Sequence, residues 1–478
     1  MAARSVGKVP PGSDVREPSS VGGASAPDQG EISRYRPLPT GSHGLNPDLV
    51  KRDQRERLQN AMIELVAEKG YPGVRIVDLA KLAHVSQPTF YSLYVDKEDL
   101  FLSAYEEVAR RWASTIIAAY DADVRGAGGM ASAMRAWTEL AAAEPQATSL
   151  LVLGAFGAGA KALERRTTIL EDLARAIYAG RDGAPASDPS DLTVKAILGG
   201  IREVTAGRLR EGRADELPGL ADDLTRWAAS YPRELPDGLE APPSKRGEGA
   251  STLAEPSERA RRAEGRLPRG RSDLPRQFIV KSQRERIVDA TAAIVAEKGL
   301  AALTIPEIAR RANVSHQTFY DIYSSKHDAF LGAQKVGMHQ ALRISVAAYE
   351  RHGEDWPRAV VAGARALVEF LTSEPAHAHL SLVDTFASCP EAVEIRSSTI
   401  QGFAIYLAPG YELEQAGGEA PAIAAEAVAG GIWQVLHHYI SSESIAELHG
   451  AAPQLAYFAL APFVGPGRAA AYALEDVA

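Results

Sequence analysis

The 478-residue chain holds a single cysteine, Cys389. An intramolecular disulfide is therefore excluded, and a reducing compartment such as the cytoplasm fits. No run of 18 apolar residues occurs, and the opening residues lack the apolar stretch of a secretory leader. Neither secretion nor membrane insertion is expected. Positive charge is also scarce: the formal net charge is −9, so bulk charge does not point to nucleic acid. No phosphate-binding loop, nucleophile elbow or dinucleotide fingerprint is present. His437-His438 are adjacent, and neighbours on a helix point apart; His377-x-His379 has no third ligand nearby. An enzyme, a metal site and a bound cofactor are not expected.

What is present is repetition. With 45% hydrophobic and 24% charged residues, the composition is that of a globular protein, and the length predicts two or three domains. Val85–Lys97, VSQPTFYSLYVDK, returns as Val314–Lys326, VSHQTFYDIYSSK. At that offset of 229, residues 54–102 match residues 283–331 at 23 of 49 positions without a gap. Solenoid units repeat every 20–50 residues or so, which makes this a duplicated domain. Glu144-Pro145 matches Glu374-Pro375, and Gly199-Gly200-Ile201 matches Gly430-Gly431-Ile432, so the duplication covers the whole unit.

Helix signals surround the repeated stretch. Leu58, Met62, Leu65 and Val66 in 55–69 have helical spacing, and Gly70 suits the end of that helix. Residues 75–83 read as a short second helix; its counterpart opens Thr304-Ile305-Pro306, a cap with proline in the first turn. Ser86 and Ser315 cap a third helix, and Asp96 and Ser325 a fourth that runs past Trp112 to about Tyr120. Two short helices with a tight turn between them form a helix-turn-helix, whose second helix fits the major groove of B-DNA.

These residues resemble a known family. The pattern VSxxTFYxxYxxK, after a helix reading Ile-x-x-[LI]-Ala-x-x-Ala, is similar to the DNA-binding domain of TetR-family transcriptional regulators, over about fifty residues and twice. Leu93 and Ile322 stand where the family often has His. The resemblance implies an all-α fold in two tandem units, each a helix-turn-helix domain followed by a helical ligand-binding and dimerisation domain. It implies a double-stranded DNA operator and a small-molecule effector as partners. The implied DNA-binding set is Arg75, Ser86, Gln87, Pro88, Thr89, Tyr91 and Lys97 in the first copy. Thr304, Ser315, His316, Gln317, Thr318, Tyr320 and Lys326 form the second set. Gln87-Pro88 and His316-Gln317 start the reading helices; Gln pairs bidentately with adenine, and His or Pro meets a base edge or a thymine methyl. Thr89, Thr318, Tyr91 and Tyr320 match positions that hold phosphates or nearby bases. Lys97 and Lys326 match a phosphate-contacting lysine. Arg75 and Thr304 are expected at phosphate as well. Phe90, Phe319, Tyr94 and Tyr323 are expected in the core.

The chain divides accordingly. Residues 1–48 read as a disordered tail, 49–100 as the first helix-turn-helix domain, 101–231 as the first regulatory domain and 232–275 as a linker. Residues 276–330 are the second helix-turn-helix domain, 331–466 the second regulatory domain and 467–478 a tail. Helices are expected at 130–143, 150–159, 163–179, 191–209 and 217–231, with 421–439 and 453–463 matching the last two. In the family such last helices make a four-helix interface; here the glycine pairs would allow close approach. A flexible linker of this length spans roughly 35–40 Å, and half-sites one turn apart lie about 34 Å apart, so one chain can act as its own pseudo-dimer. Linkage also gives the copies an effective mutual concentration on the order of millimolar. Leu267-Pro268-Arg269-Gly270-Arg271 resembles the core of an AT-hook, a minor-groove arm.

The DNA-binding segments carry little charge of their own: 8 basic and 8 acidic residues in 51–100, 8 and 6 in 276–330. Binding would rest on a few placed contacts. Unlike reading helices predict an operator with unlike half-sites, and a repressor is the expected role. The alternative is an interaction or assembly module in which one helix-turn-helix no longer binds DNA. Chains pairing further into a homodimer stays open.

Overall fold

The computed structural model describes residues 46–123, 128–179, 192–232, 235–239, 275–384, 390–413, 420–442 and 444–475. The N-terminal tail, nearly all of the linker with its Pro-Arg-Gly-Arg motif, and Cys389 lie outside these residues. Among the described residues every regular element is helical, and the fold is all-α in two tandem units.

The first unit opens with α1 (Pro47–Gly73), which starts on Asn46: its side chain accepts from the Asp48 amide, and Pro47 occupies the first turn. Gly70 takes φ +67°, a conformation that costs a side-chain-bearing residue, and breaks the helix there; Gly299 does the same at φ +75° in the second unit. Then come α2 (Ile76–Leu82), α3 (Gln87–Leu93) and the long α4 (Lys97–Asp123). The regulatory part adds α5 (Gly129–Ala143), α6 (Pro145–Ser149), α7 (Ala160–Ala179), α8 (Leu192–Arg210) and α9 (Ala221–Ala229).

Two sequence expectations change here. Residues 150–159 are not one α-helix: Leu150–Gly154 form a π turn that runs into Ala155–Gly157. Gly154 lies against Phe101 and Val66, and a Cβ there would press on both. Residues 217–231 likewise start as a 3₁₀ segment, Ala214–Leu220, with Pro218 inside, before α9 begins. Proline lacks the amide an α-helix needs at that point.

The second unit repeats the order: α10 (Arg276–Lys298), α11 (Ile305–Arg311), α12 (His316–Tyr320), α13 (Lys326–Glu350), α14 (Trp356–Ser373), α15 (Pro375–Leu382), α16 (Pro390–Leu407), α17 (Ala424–Ser441), α18 (Leu448–Val464) and α19 (Pro466–Leu474). α18 begins five residues before Pro453, the expected start, and carries both Pro453 and Pro462 within it.

The halves meet along α8 and α17. Gly199 and Gly200 of α8 face Gly430 and Ala427 of α17, and Gly431 faces Ala196. A Cβ on Gly199 would stand 2.9 Å from the Gly430 carbonyl, and one on Gly431 would stand 2.7 Å from the Ala196 carbonyl. The backbones approach closer than any side chain at these four positions permits. Leu192, Ala196, Val204, Leu224, Trp227 and Tyr231 of the first half join one apolar core with α14, α17 and α18. The buried Tyr231 hydroxyl donates to the Phe458 carbonyl at 2.9 Å, and Arg208 pairs with Glu426 at 3.1 Å. Each helix-turn-helix part belongs to a further core, around Phe90 and Phe101 in one and Phe319 and Phe330 in the other, that extends into the helices behind it.

Candidate nucleic-acid interface

The two helix-turn-helix segments are built by the same devices. Ser86 accepts from the Thr89 amide at 3.1 Å, and Ser315 from the Thr318 amide at 3.0 Å, so each serine starts its reading helix. Phe90 and Phe319 are wholly buried, where truncation to alanine costs about 3–5 kcal/mol. Tyr94 and Tyr323 are buried beside them. The next helix is started by a reciprocal pair. Asp96 accepts from the Asp99 amide while Asp99 accepts from the Val95 amide. Ser325 and Asp328 repeat that arrangement on the amides of Asp328 and Ser324.

The turn itself is fixed by a residue that sequence patterning passed over. Arg57 on α1 donates to the carbonyls of Ala83 and His84. Arg286 on α10 donates to those of Ala312 and Asn313 at 3.0 and 3.1 Å. His84 and Asn313 have φ +53° and +51°, the left-handed conformation that lets the chain reverse between α2 and α3 and between α11 and α12. Arg57 is 5% exposed and also pairs with Asp53. The signal was in the sequence, since Arg57 and Arg286 are one of the 23 matches, but one arginine in the charged run Gln-Arg-Glu-Arg reads as part of a solvated helix face.

Most of the expected site residues are exposed. Gln87, Pro88, His316 and Gln317 are exposed at the first turns of α3 and α12. Tyr91 and Tyr320 are 58% and 55% exposed, each set edge-on against its buried phenylalanine. Thr89 and Thr318 are half-buried, their hydroxyls 2.8 and 2.9 Å from the capping serines. The Gln317 amide donates to Asp321 at 2.9 Å. Arg75 is exposed and paired with Asp78 through two 2.9 Å bonds; that hydrogen bond raises the guanidinium pKa and lowers the carboxyl. Thr304 holds the cap position of α11, but its side chain accepts no capping bond. The lysines turn inward. Lys97 Nζ donates to the Tyr71 and Val74 carbonyls at 3.0 Å and sits 4.1 Å from the Tyr71 ring centre. Lys326 Nζ donates to the Leu303 carbonyl at 2.9 Å.

Residues 60–104 and 287–332 each match the family model of bacterial regulatory proteins of the tetR family. The chain holds two tetR-family domains in tandem. Among solved structures, the chain is similar to the regulator FadR from Bacillus subtilis in complex with stearoyl-CoA, at 18% identity over 36% of this chain and 96% of that one, TM-score 0.31. It is similar to FadR from Bacillus halodurans at 17% identity, 37% and 99% coverage and TM-score 0.33. A tetR-family regulatory protein from Rhodococcus RHA1 matches at 23% identity, 38% and 97% coverage and TM-score 0.30. No curated protein matches the chain.

Behind each tetR-type reading domain lies a cavity. The second-half cavity is lined by Met338, Leu371, Phe403 and Trp433, with His377 and Ser381 among its polar groups. His377 Nε2 is 3.1 Å from Asp289 Oδ1 on α10, a direct link from cavity wall to DNA-reading domain. The first unit has Ala147 and Asn60 at the matching places. The first-half cavity is lined by Trp112, Trp137, Ile169 and Leu198, with Arg166 and Arg202. Trp137 and Trp433 thus each stand in a cavity wall, and Phe156 lies against the arginines of the first.

A buried charged group joins the first cavity to the crossing of the halves. Glu203 is held by Arg396 at 2.7 Å, Arg210 at 3.2 Å and Arg202 at 3.6 Å. Burial alone would raise the Glu203 pKa; the charges of Arg396 and Arg202 outweigh it and hold the group at about 2. Burial and the neighbouring Arg396 push Arg202 well below its ordinary value. His437 is pushed down to about 3 by burial, then by Arg166 and Arg202. Among the described residues no group of three His, Cys, Asp or Glu side chains could hold a metal ion.

Proposed function

We propose that the chain is a sequence-specific DNA-binding transcriptional regulator, an effector-responsive repressor whose two reading helices address one operator with unlike half-sites. The observation that carries this is the matched but unequal exposed face. Thr89 with Tyr91 and Thr318 with Tyr320 recur on both helices, whereas Gln87-Pro88 faces outward on one and His316-Gln317 on the other. Thr, Tyr, Arg75 and Thr304 fix register through phosphates, and the first two helix positions read bases. Ser86 and Ser315 serve by capping the helices. Lys97 and Lys326 brace the segment ahead of α2 and α11, and each reaches a phosphate by exchanging a carbonyl bond for it.

The α8–α17 crossing, with its glycine pairs, supports a pseudo-dimer in which one chain replaces two. The division into DNA-binding parts 49–100 and 276–330 and regulatory parts 101–231 and 331–466 belongs to the same reading, as does a cytoplasmic location. Among the described residues no helix is long and apolar enough to cross a membrane. The two cavities support an effector. One observation favours the second reading, an assembly module with a silent domain: Asp321 holds Gln317 and places a carboxylate on the second reading helix.

Selection from random DNA tests both. Two unlike half-sites, bound by one chain in light scattering, support the regulator; a perfect palindrome, or two chains per operator, counts against the pseudo-dimer. The double variant Gln87→His, Pro88→Gln makes the reading positions alike and should shift the selected operator towards a palindrome, by about tenfold in preference or more. Selection of a single half-site by the native chain would support the assembly module.

A further inference from the structure

The first-half cavity ends on cations that DNA binding leaves unused. Arg166 and Arg202 both line it and are 5% and 4% exposed. Their guanidinium carbons stand 4.7 and 5.0 Å from the centre of the Phe156 ring, so two charges flank one ring. The other walls are apolar, led by Trp112, Trp137, Ile169 and Leu198. Arg202 shares the one carboxylate of Glu203, at 3.6 Å, with Arg396 and Arg210. Among the described residues, guanidinium groups outnumber carboxylates in this buried cluster. Arg166 donates one long bond, 3.4 Å, to Gln434 on α17. Buried charge is costly unless an opposite charge balances it, and a guanidinium fork matches a carboxylate in shape.

We propose that the first-half cavity binds a hydrophobic carboxylate, its head group held by Arg166 and Arg202 and its apolar body lying along Trp112 and Trp137. This rests on the effector-responsive reading above and names the chemistry of the effector. Among the described residues, the walls of the second-half cavity include no arginine, lysine or carboxylate, so it does not share the preference. The site also reaches the contact between the halves. A head group that draws Arg166 away from Gln434 removes one tie between α7 and α17, and so between the halves.

Trp112 and Trp137 make the cavity its own fluorescent reporter. The full chain is titrated with decanoate and naphthalene-2-carboxylate, and with decan-1-ol and naphthalene-2-methanol as uncharged counterparts. At least one acid should saturate with a Kd below about 1 mM and bind about tenfold or more tighter than its alcohol. Arg166→Met and Arg202→Met should each abolish that preference, and Arg166→Lys should retain part of it, with melting curves showing that the variants fold. Failure of both acids to bind, equal binding of acid and alcohol, or a preference that survives in both Met variants overturns the proposal. Operator binding is followed in the same samples. Loss of the acid preference with DNA binding intact sinks this inference alone; acid preference without DNA binding sinks the regulator reading instead.

Discussion

His377 links the wall of the second cavity to Asp289 in the DNA-reading domain through one 3.1 Å contact. The contact is nearly sealed, with His377 3% exposed. A double-mutant cycle with His377→Ala and Asp289→Ala should give a coupling energy of about 1–2 kcal/mol in denaturant unfolding. Single changes at Ala147 and Asn60, the matching places in the first unit, should couple by less than about 0.5 kcal/mol. Equal coupling in the two units would show that the link is not peculiar to the second.

The glycine crossing makes a steric prediction. Gly199→Val or Gly430→Val forces α8 and α17 apart and should destabilise the joined core by about 1–3 kcal/mol, seen by calorimetry as a lower or split transition. Gly219, with nothing near its would-be Cβ, is the control: Gly219→Ala should change little. An unchanged transition in both valine variants would mean that the halves do not pack this way.

Arg57 and Arg286 should behave as a matched pair. Arg57→Met leaves the Ala83 and His84 carbonyls without their charged donor and should destabilise the first reading domain by roughly 2–3 kcal/mol. Hydrogen exchange at the amides of residues 83–86 should speed up while residues 312–315 stay protected. Arg286→Met should reverse that pattern.

His437 sets an acid limit. Its folded pKa of about 3 lies below the ordinary 6.5, so the unfolded chain binds a proton that the folded chain refuses between those values. Stability is therefore full above about pH 6.5 and falls as pH drops towards 3, by roughly 4–5 kcal/mol at the foot of that window. His437→Leu should flatten the fall between pH 6.5 and 4.5 in urea melts. The Glu203 carboxyl, held at about 2 against an ordinary 4.5, adds its own loss below pH 4.5, and that part should persist in His437→Leu.

Much of this architecture was legible because short-range rules governed it. Capping by Ser86, Ser315 and Ser325, the positive-φ glycines at 70 and 299, and the buried Phe beside exposed Tyr all follow from local chemistry. Rules of that kind failed where tertiary packing overrode them. The π turn at Leu150–Gly154 fits a helix around Phe101 and Val66, which lie far away in sequence. Pro453 reads as a helix start but is carried, with Pro462, inside α18, which is buried along most of its length. The lysines at 97 and 326 looked like free cations because their carbonyl partners sit 23 to 26 residues upstream. The Arg166, Arg202, Glu203 and Arg396 cluster draws on both halves of the chain, and no periodicity within either half could announce it.

The α8–α17 crossing bears on inheritance as much as on packing. Two unlike subunits encoded apart and mixing at random would assemble as three species, only one of them the mixed pair. In the pseudo-dimer proposed above, fusion makes every molecule the mixed pair, whatever the expression level. Each half is then free to accumulate its own substitutions at the reading positions and in its cavity, since no copy of itself has to tolerate them across the interface. Gln87-Pro88 against His316-Gln317, and Arg166 with Arg202 against a cavity without arginine, are the divergence that such an arrangement permits.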